Sequence, residues 1–216
     1  MSTQNALFSG GVLTLTDGEV TLTEEFDQKV ASERNRIADY SPAELEAEVR
    51  DRVADATVVD PVVSLCTDDP RIAAELFTLT EFVDDTAAVI RLLPPLWLFH
   101  EDAVRTDGAP ESFIPVPATR LPSLLSIYSP ALVYVWLDDS EKCDLAKADL
   151  EAVFETQQEV MPFAVYGPAY KEFLEEEYDL SAGPAILFTR DGAVEARLYG
   201  AHGPATIEAE LDRHRG

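Results

Sequence analysis

An α/β class is predicted for the C-terminal half of this chain, preceded by an α+β N-terminal region, on three observations. Apolar runs without polar alternation, at Ala131–Trp136 and Phe163–Tyr166, predict strands covered on both faces. Segments with apolar residues at helical spacing lie between and after them. Turn signals such as Asp191-Gly192 punctuate the alternation.

The elements follow in order. Val12 to Leu22 alternates around Asp17-Gly18, a pair that tolerates positive φ, and predicts a two-residue hairpin. Phe26, Val30 and Ile37 then share a helical face. Ser41-Pro42-Ala43-Glu44 opens another helix with a capping box and a first-turn proline, and Leu45, Val49 and Val53 form its buried stripe. Val62 to Cys66 is a short apolar β-favouring run and is expected to be a strand. Asp69-Pro70 starts helical segments over Ile72 to Phe82 and Thr86 to Leu93, and Pro94-Pro95 is expected to stop them. Leu96 to Phe99 fits a strand or a helix end equally. Thr106 to Pro110 is polar and turn-rich and marks the boundary between a region at 1–105 and one at 111–216.

The second region predicts a strand at Phe113–Val116, a helix at Leu121–Tyr128 and a central strand at Ala131–Trp136. Asp138 and Glu141 can form a capping box before a helix whose inward stripe is Cys143, Ala146, Leu150, Val153 and Phe154. A strand at Phe163–Tyr166 follows, then a helix from Pro168 to Leu180 with Tyr170, Phe173, Leu174 and Tyr178 inward. Strands at Ala185–Phe188 and Ala193–Leu198 and a helix from Pro204 to His214 complete the order β-α-β-α-β-α-β-β-α.

This order resembles the thioredoxin family over about 105 residues. Trp136 ends its strand where the family has a tryptophan, and Cys143 lies seven residues on, where the family has its second active-site cysteine. Gly183-Pro184 before Ala185–Phe188 is similar to the family's cis-proline, and Asp191-Gly192 and Gly200 match its last hairpin. The resemblance implies a thioredoxin-like fold, a central mixed sheet flanked by helices. It also implies an open backbone edge at Gly183 and Pro184 that pairs with an extended peptide, with Trp136 beside it.

The departures bear on function. A dithiol oxidoreductase attacks with one thiol and resolves the mixed disulfide with another three residues on. Here the motif is Ser140-Glu141-Lys142-Cys143, and a serine hydroxyl forms no disulfide. Tyr134 replaces the family's buried aspartate, and Asp139 replaces the aromatic residue before the attacking cysteine. Cys143 falls on the inward helix face, with Asp138, Asp139, Glu141 and Asp144 opposing a thiolate and Lys142 and the helix start favouring one. Ser140 fits a helix cap better than a nucleophile, since no His-Asp partnership is evident. The expected function is non-catalytic binding of a protein or peptide partner. The alternative is a monothiol-type thiol-disulfide oxidoreductase using Cys143 in redox homeostasis. Cys66 is expected to be a small buried hydrophobe.

Composition narrows the remaining classes. With 41 acidic and 16 basic residues the net charge is -25, and the acidity is spread over both regions. Twelve of the basic residues are Arg and four are Lys. The combination resembles proteins of salt-loving archaea, and high intracellular salt is the expected setting, because molar salt shortens the Debye length to about 3 Å. A nucleic-acid partner is not expected from such a charge. A winged-helix reading, with the first hairpin as wing and Arg34, Arg36, Arg50 and Arg52 on phosphates, has its hairpin in the wrong order. His100, His202 and His214 lack metal-ligand spacing and the two cysteines lie far apart, so neither a metal nor a cofactor is expected. No run of 18 apolar residues and no basic leader occurs, which predicts a cytoplasmic protein without a membrane partner.

Overall fold

A computed structural model describes residues 3–83, 86–99, 104–155 and 159–214, so His100 lies outside the described residues. The chain divides into two compact units, Met1–His100 and Glu101–Gly216.

The N-terminal unit begins with α1 (Thr3–Ser9) and the hairpin of β1 (Leu13–Thr16) and β2 (Glu19–Leu22). Asp17 (φ 54°) and Gly18 (φ 86°) are both left-handed, as the tight turn between right-twisted strands requires. α2 (Glu24–Ile37) is capped by the Thr23 hydroxyl, which accepts from the Phe26 amide, and buries Phe26 and Ile37. α3 (Pro42–Arg52) carries the full Ser41/Glu44 capping box, and Leu45, Val49 and Val53 are buried. α4 (Val59–Asp68), α5 (Pro70–Phe82) and α6 (Thr86–Leu96) follow, with a 3-10 turn at Trp97–Phe99. α5 is the core element: Ile72, Ala73, Ala74, Leu76, Phe77 and Leu79 are all buried.

Three expectations change here. Val62–Cys66 is helical, because Val62, Leu65 and Cys66 recur at three and four residues and are buried together. A short apolar run satisfies both periods, and packing decides between them. Pro94 and Pro95 lie within α6 rather than stopping it. Proline's fixed φ is itself helical, and the helix ends at Leu96, one residue after the pair, where the 3-10 segment begins. Three of the four Arg residues considered for phosphate contact are engaged instead. Arg36 pairs with Glu33 (2.8 Å) and Glu48 (2.7 Å), Arg52 with Glu48 (3.1 Å), and Arg50 with Glu46 (2.9 Å) and Asp60 (2.7 Å).

The C-terminal unit is a five-stranded mixed sheet in the order β3-β5-β4-β6-β7. Its elements are β3 (Ile114–Pro115), α7 (Leu121–Ile127), β4 (Ala131–Trp136), α8 (Glu141–Phe154), β5 (Met161–Tyr166), α9 (Lys171–Tyr178), β6 (Ala185–Arg190), β7 (Ala193–Tyr199) and α10 (Pro204–Arg213). β4 is central: Val133 pairs in parallel with Phe163 and antiparallel with Leu187. All six of its residues are buried. Leu132, Tyr134 and Trp136 share one core with Cys143, Ala146, Leu150, Val153 and Phe154 of α8 and with Ile207 and Leu211 of α10. Val133 and Val135 point to the opposite face and are buried as well, as a doubly covered strand requires. Each fully buried Leu or Phe contributes roughly 1.5–3 kcal/mol through area removed from water.

Two local readings are revised. The Asp138/Glu141 capping box does not form, Asp138 being drawn into other contacts, and Ser140 caps α8, as its reading as a helix cap expects. Residues Gly167–Tyr170 form a 3-10 turn before α9, leaving Tyr170 and Phe173 only half-buried while Leu174 and Tyr178 are buried. No described helix is long and apolar enough to cross a membrane.

Candidate functional site

The residues around the Ser140-Cys143 motif are positioned by the end of β4 and the start of α8. Asp139 adopts a left-handed conformation (φ 49°) that turns the chain from strand to helix. Ser140 then caps the helix, its Oγ accepting the Cys143 amide at 3.3 Å, so the hydroxyl at the expected attacking position is already engaged. Glu141 and Lys142 are exposed. Cys143 is only 4% exposed, and its Sγ accepts the Leu137 amide N–H at 3.4 Å. Beneath it the Tyr134 hydroxyl donates to the Cys143 carbonyl at 2.9 Å, and burial first, then the neighbouring Cys143, pushes the Tyr134 phenol well up. Cys66, in the other unit, is fully buried, and burial pushes its thiol well up. Both thiols are free.

Leu137 joins the motif to the proline loop. A Cβ on Gly183 would lie 3.1 Å from Leu137 Cγ, and one on Gly167 would lie 3.4 Å from its Cδ2. The Gly183–Pro184 peptide is cis, Pro184 is buried, and its carbonyl accepts from the Gly200 amide at 2.8 Å. Strand pairing begins at Ala185, which leaves Gly183 outside the ladder and half-buried. Leu137 thus touches both the Cys143 thiol and the Gly183 backbone.

Trp136 is not part of an exposed groove. It is 2% exposed and is covered within the same unit by residues 105–109, the stretch that the sequence marks as a boundary. Arg105 grips Asp138 through two nitrogens (2.9 Å each) and Asp107 (3.0 Å). Its guanidinium lies 5.5 Å from the Trp136 ring and 4.6 Å from the Tyr166 ring. The two rings themselves are 4.7 Å apart, and the Tyr166 hydroxyl donates to Asp138. The Tyr166 hydroxyl and then Arg105 hold the Asp138 carboxyl below its ordinary range, and the same bond raises the Tyr166 phenol. Arg105, Gly108, Leu137 and Tyr166 carry no motif and are not legible in the sequence as site residues; only tertiary contact identifies them. Among the described residues no group of three or more His, Cys, Asp or Glu is arranged to hold a metal.

No family model matches the chain, and no curated protein matches it in sequence. Solved thioredoxins do match in structure. Desulfothioredoxin from Desulfovibrio vulgaris Hildenborough is 22% identical, with 43% of this chain and 88% of that one covered and a TM-score of 0.40. Mitochondrial thioredoxin 3 from Saccharomyces cerevisiae is 14% identical, with 47% and 95% covered and a TM-score of 0.43. A mutant thioredoxin from Halobacterium salinarum NRC-1 is 14% identical, with 50% and 96% covered and a TM-score of 0.42. The mixed sheet and its element order are those expected from the resemblance, and the matches to solved thioredoxins cover about half of this chain.

Proposed function

We propose that the C-terminal unit is a non-catalytic thioredoxin-like module that binds an extended polypeptide along the backbone at Gly183 and Pro184, beside Ser140. The carrying observation is the pair of states at the motif: Ser140 Oγ is engaged as a helix cap, and Cys143 is 4% exposed. A two-thiol cycle needs an accessible attacking sulfur and a resolving one, and residue 140 supplies neither. Gly183, outside the strand ladder, leaves main-chain groups available for β-type pairing with a peptide. The net charge of -25 and the preference for Arg over Lys fit a cytoplasm of high salt. Insulin reduction in molar KCl tests the reading: the wild type is expected to show no turnover above reductant alone, and turnover matching a dithiol thioredoxin rejects it.

The second reading, a monothiol oxidoreductase, draws on the Leu137 amide aimed at Cys143 Sγ. In that chemistry the Cys143 thiolate attacks a low-molecular-weight disulfide, one sulfur bonds to Cys143, and the other leaves as a thiolate. Alkylation of the folded protein separates the two. Labelling of Cys143 as fast as a free thiol favours the enzyme; labelling only after denaturation favours the binding module.

A further inference from the structure

We infer that residues 105–109 form a releasable strap over Trp136, held closed from outside by Arg105 and fitted from inside by Gly108. The fit is tight: a Cβ at Gly108 would lie 2.2 Å from Trp136 Cε3 and 2.5 Å from Cδ2, so only glycine lets the backbone rest on the indole. Ala109 is buried in the same core as Trp136 and Cys143, and its amide donates to the Thr106 carbonyl at 2.9 Å, closing the turn. What holds the strap from outside differs in kind. Arg105 is exposed, and its fork on Asp138 and Asp107 and its stacking on Tyr166 are solvent-facing contacts; Lys147 Nζ adds a bond to the Asp107 carbonyl at 3.3 Å. Exposed ion pairs contribute little and exchange readily with water.

The closed state also carries a fault. The Trp136 indole N–H is buried without an acceptor, so closure denies it the water that opening would supply. A strap closed by surface contacts over an unsatisfied buried donor is set to open locally while the sheet stays intact. Opening exposes Trp136 and releases Arg105 from Asp138, two residues before Ser140. The strap stands on its own geometry; its consequence, control of access to the motif, rests on the peptide-binding reading above.

Hydrogen exchange on the full chain, followed by NMR, tests the strap without any peptide, so its failure and that of the peptide reading are distinguishable. In the wild type the Ala109 amide and the Trp136 indole N–H are expected to exchange at least about tenfold faster than the Val133 amide of β4, as local rather than global opening predicts. Gly108→Ala should accelerate both further and leave Val133 protected. Arg105→Ala, which introduces no clash inside the core, should act in the same direction if the glycine variant does not fold. Ala109 exchanging in step with Val133 in the wild type, or a still-protected indole in both variants, overturns the proposal.

Discussion

The Tyr134 hydroxyl donates to the Cys143 carbonyl at 2.9 Å, tying the central strand to the first turn of α8. The ring packs edge-on against Phe113 at 6.4 Å. A buried phenol thus stands beneath Cys143 and ties the start of the helix to the sheet.

Tyr134→Phe keeps the ring and removes only the hydroxyl. The Cys143 carbonyl remains in a helix and has a second lone pair, so the loss is a single buried hydrogen bond of about 1 kcal/mol. Urea unfolding in molar KCl should show a lowered midpoint with an unchanged slope. An unchanged midpoint would mean that the bond makes no net contribution.

Ser140→Ala should destabilise the protein by about 1 kcal/mol through loss of the cap, and Ser140→Asn should restore most of it. Neither should change any thiol reaction rate. A Ser140→Ala variant of full stability but altered thiol chemistry would return Ser140 to the role of a reacting group.

The phenols give a pH dependence of definite sign. Burial raises Tyr134 and raises Tyr178 to about 12, while the bond to Asp138 raises Tyr166. Between the unfolded phenol value near 10 and these folded values the native state holds more protons than the unfolded one, so stability falls as pH rises. Absorbance titration should show tyrosine ionisation extending to about pH 12, and Tyr178→Phe should remove one tyrosine's share of that late portion.

Legibility in the sequence follows the range of the interactions. The Asp17-Gly18 turn, the Ser41/Glu44 box and the α8 stripe from Cys143 to Phe154 depend on neighbours a few residues away and are legible in full. Val62–Cys66 misleads because four apolar residues in five fit both periods, and only the surrounding helices select one. Asp138 looks like a cap because Glu141 stands three residues on. Its real partners, Arg105 at 33 residues and Tyr166 at 28, leave no local trace. The strap is hidden for the same reason: a polar, turn-rich stretch is the usual composition of a linker, and nothing in it announces that Gly108 rests on an indole.

Salt should move the fold and the strap in opposite directions. With a net charge of -25, self-repulsion destabilises the compact state in dilute buffer, and screening over about 3 Å in molar KCl relieves it. The free energy of unfolding should therefore rise with KCl. The Arg105–Asp138 contact is exposed and attractive, so the same screening weakens it. Protection of the Ala109 amide should fall as protection of the Val133 amide rises. If both rise together, the strap is held by the core and not by Arg105; if global stability is flat across the salt range, the acidic surface is not an adaptation to salt.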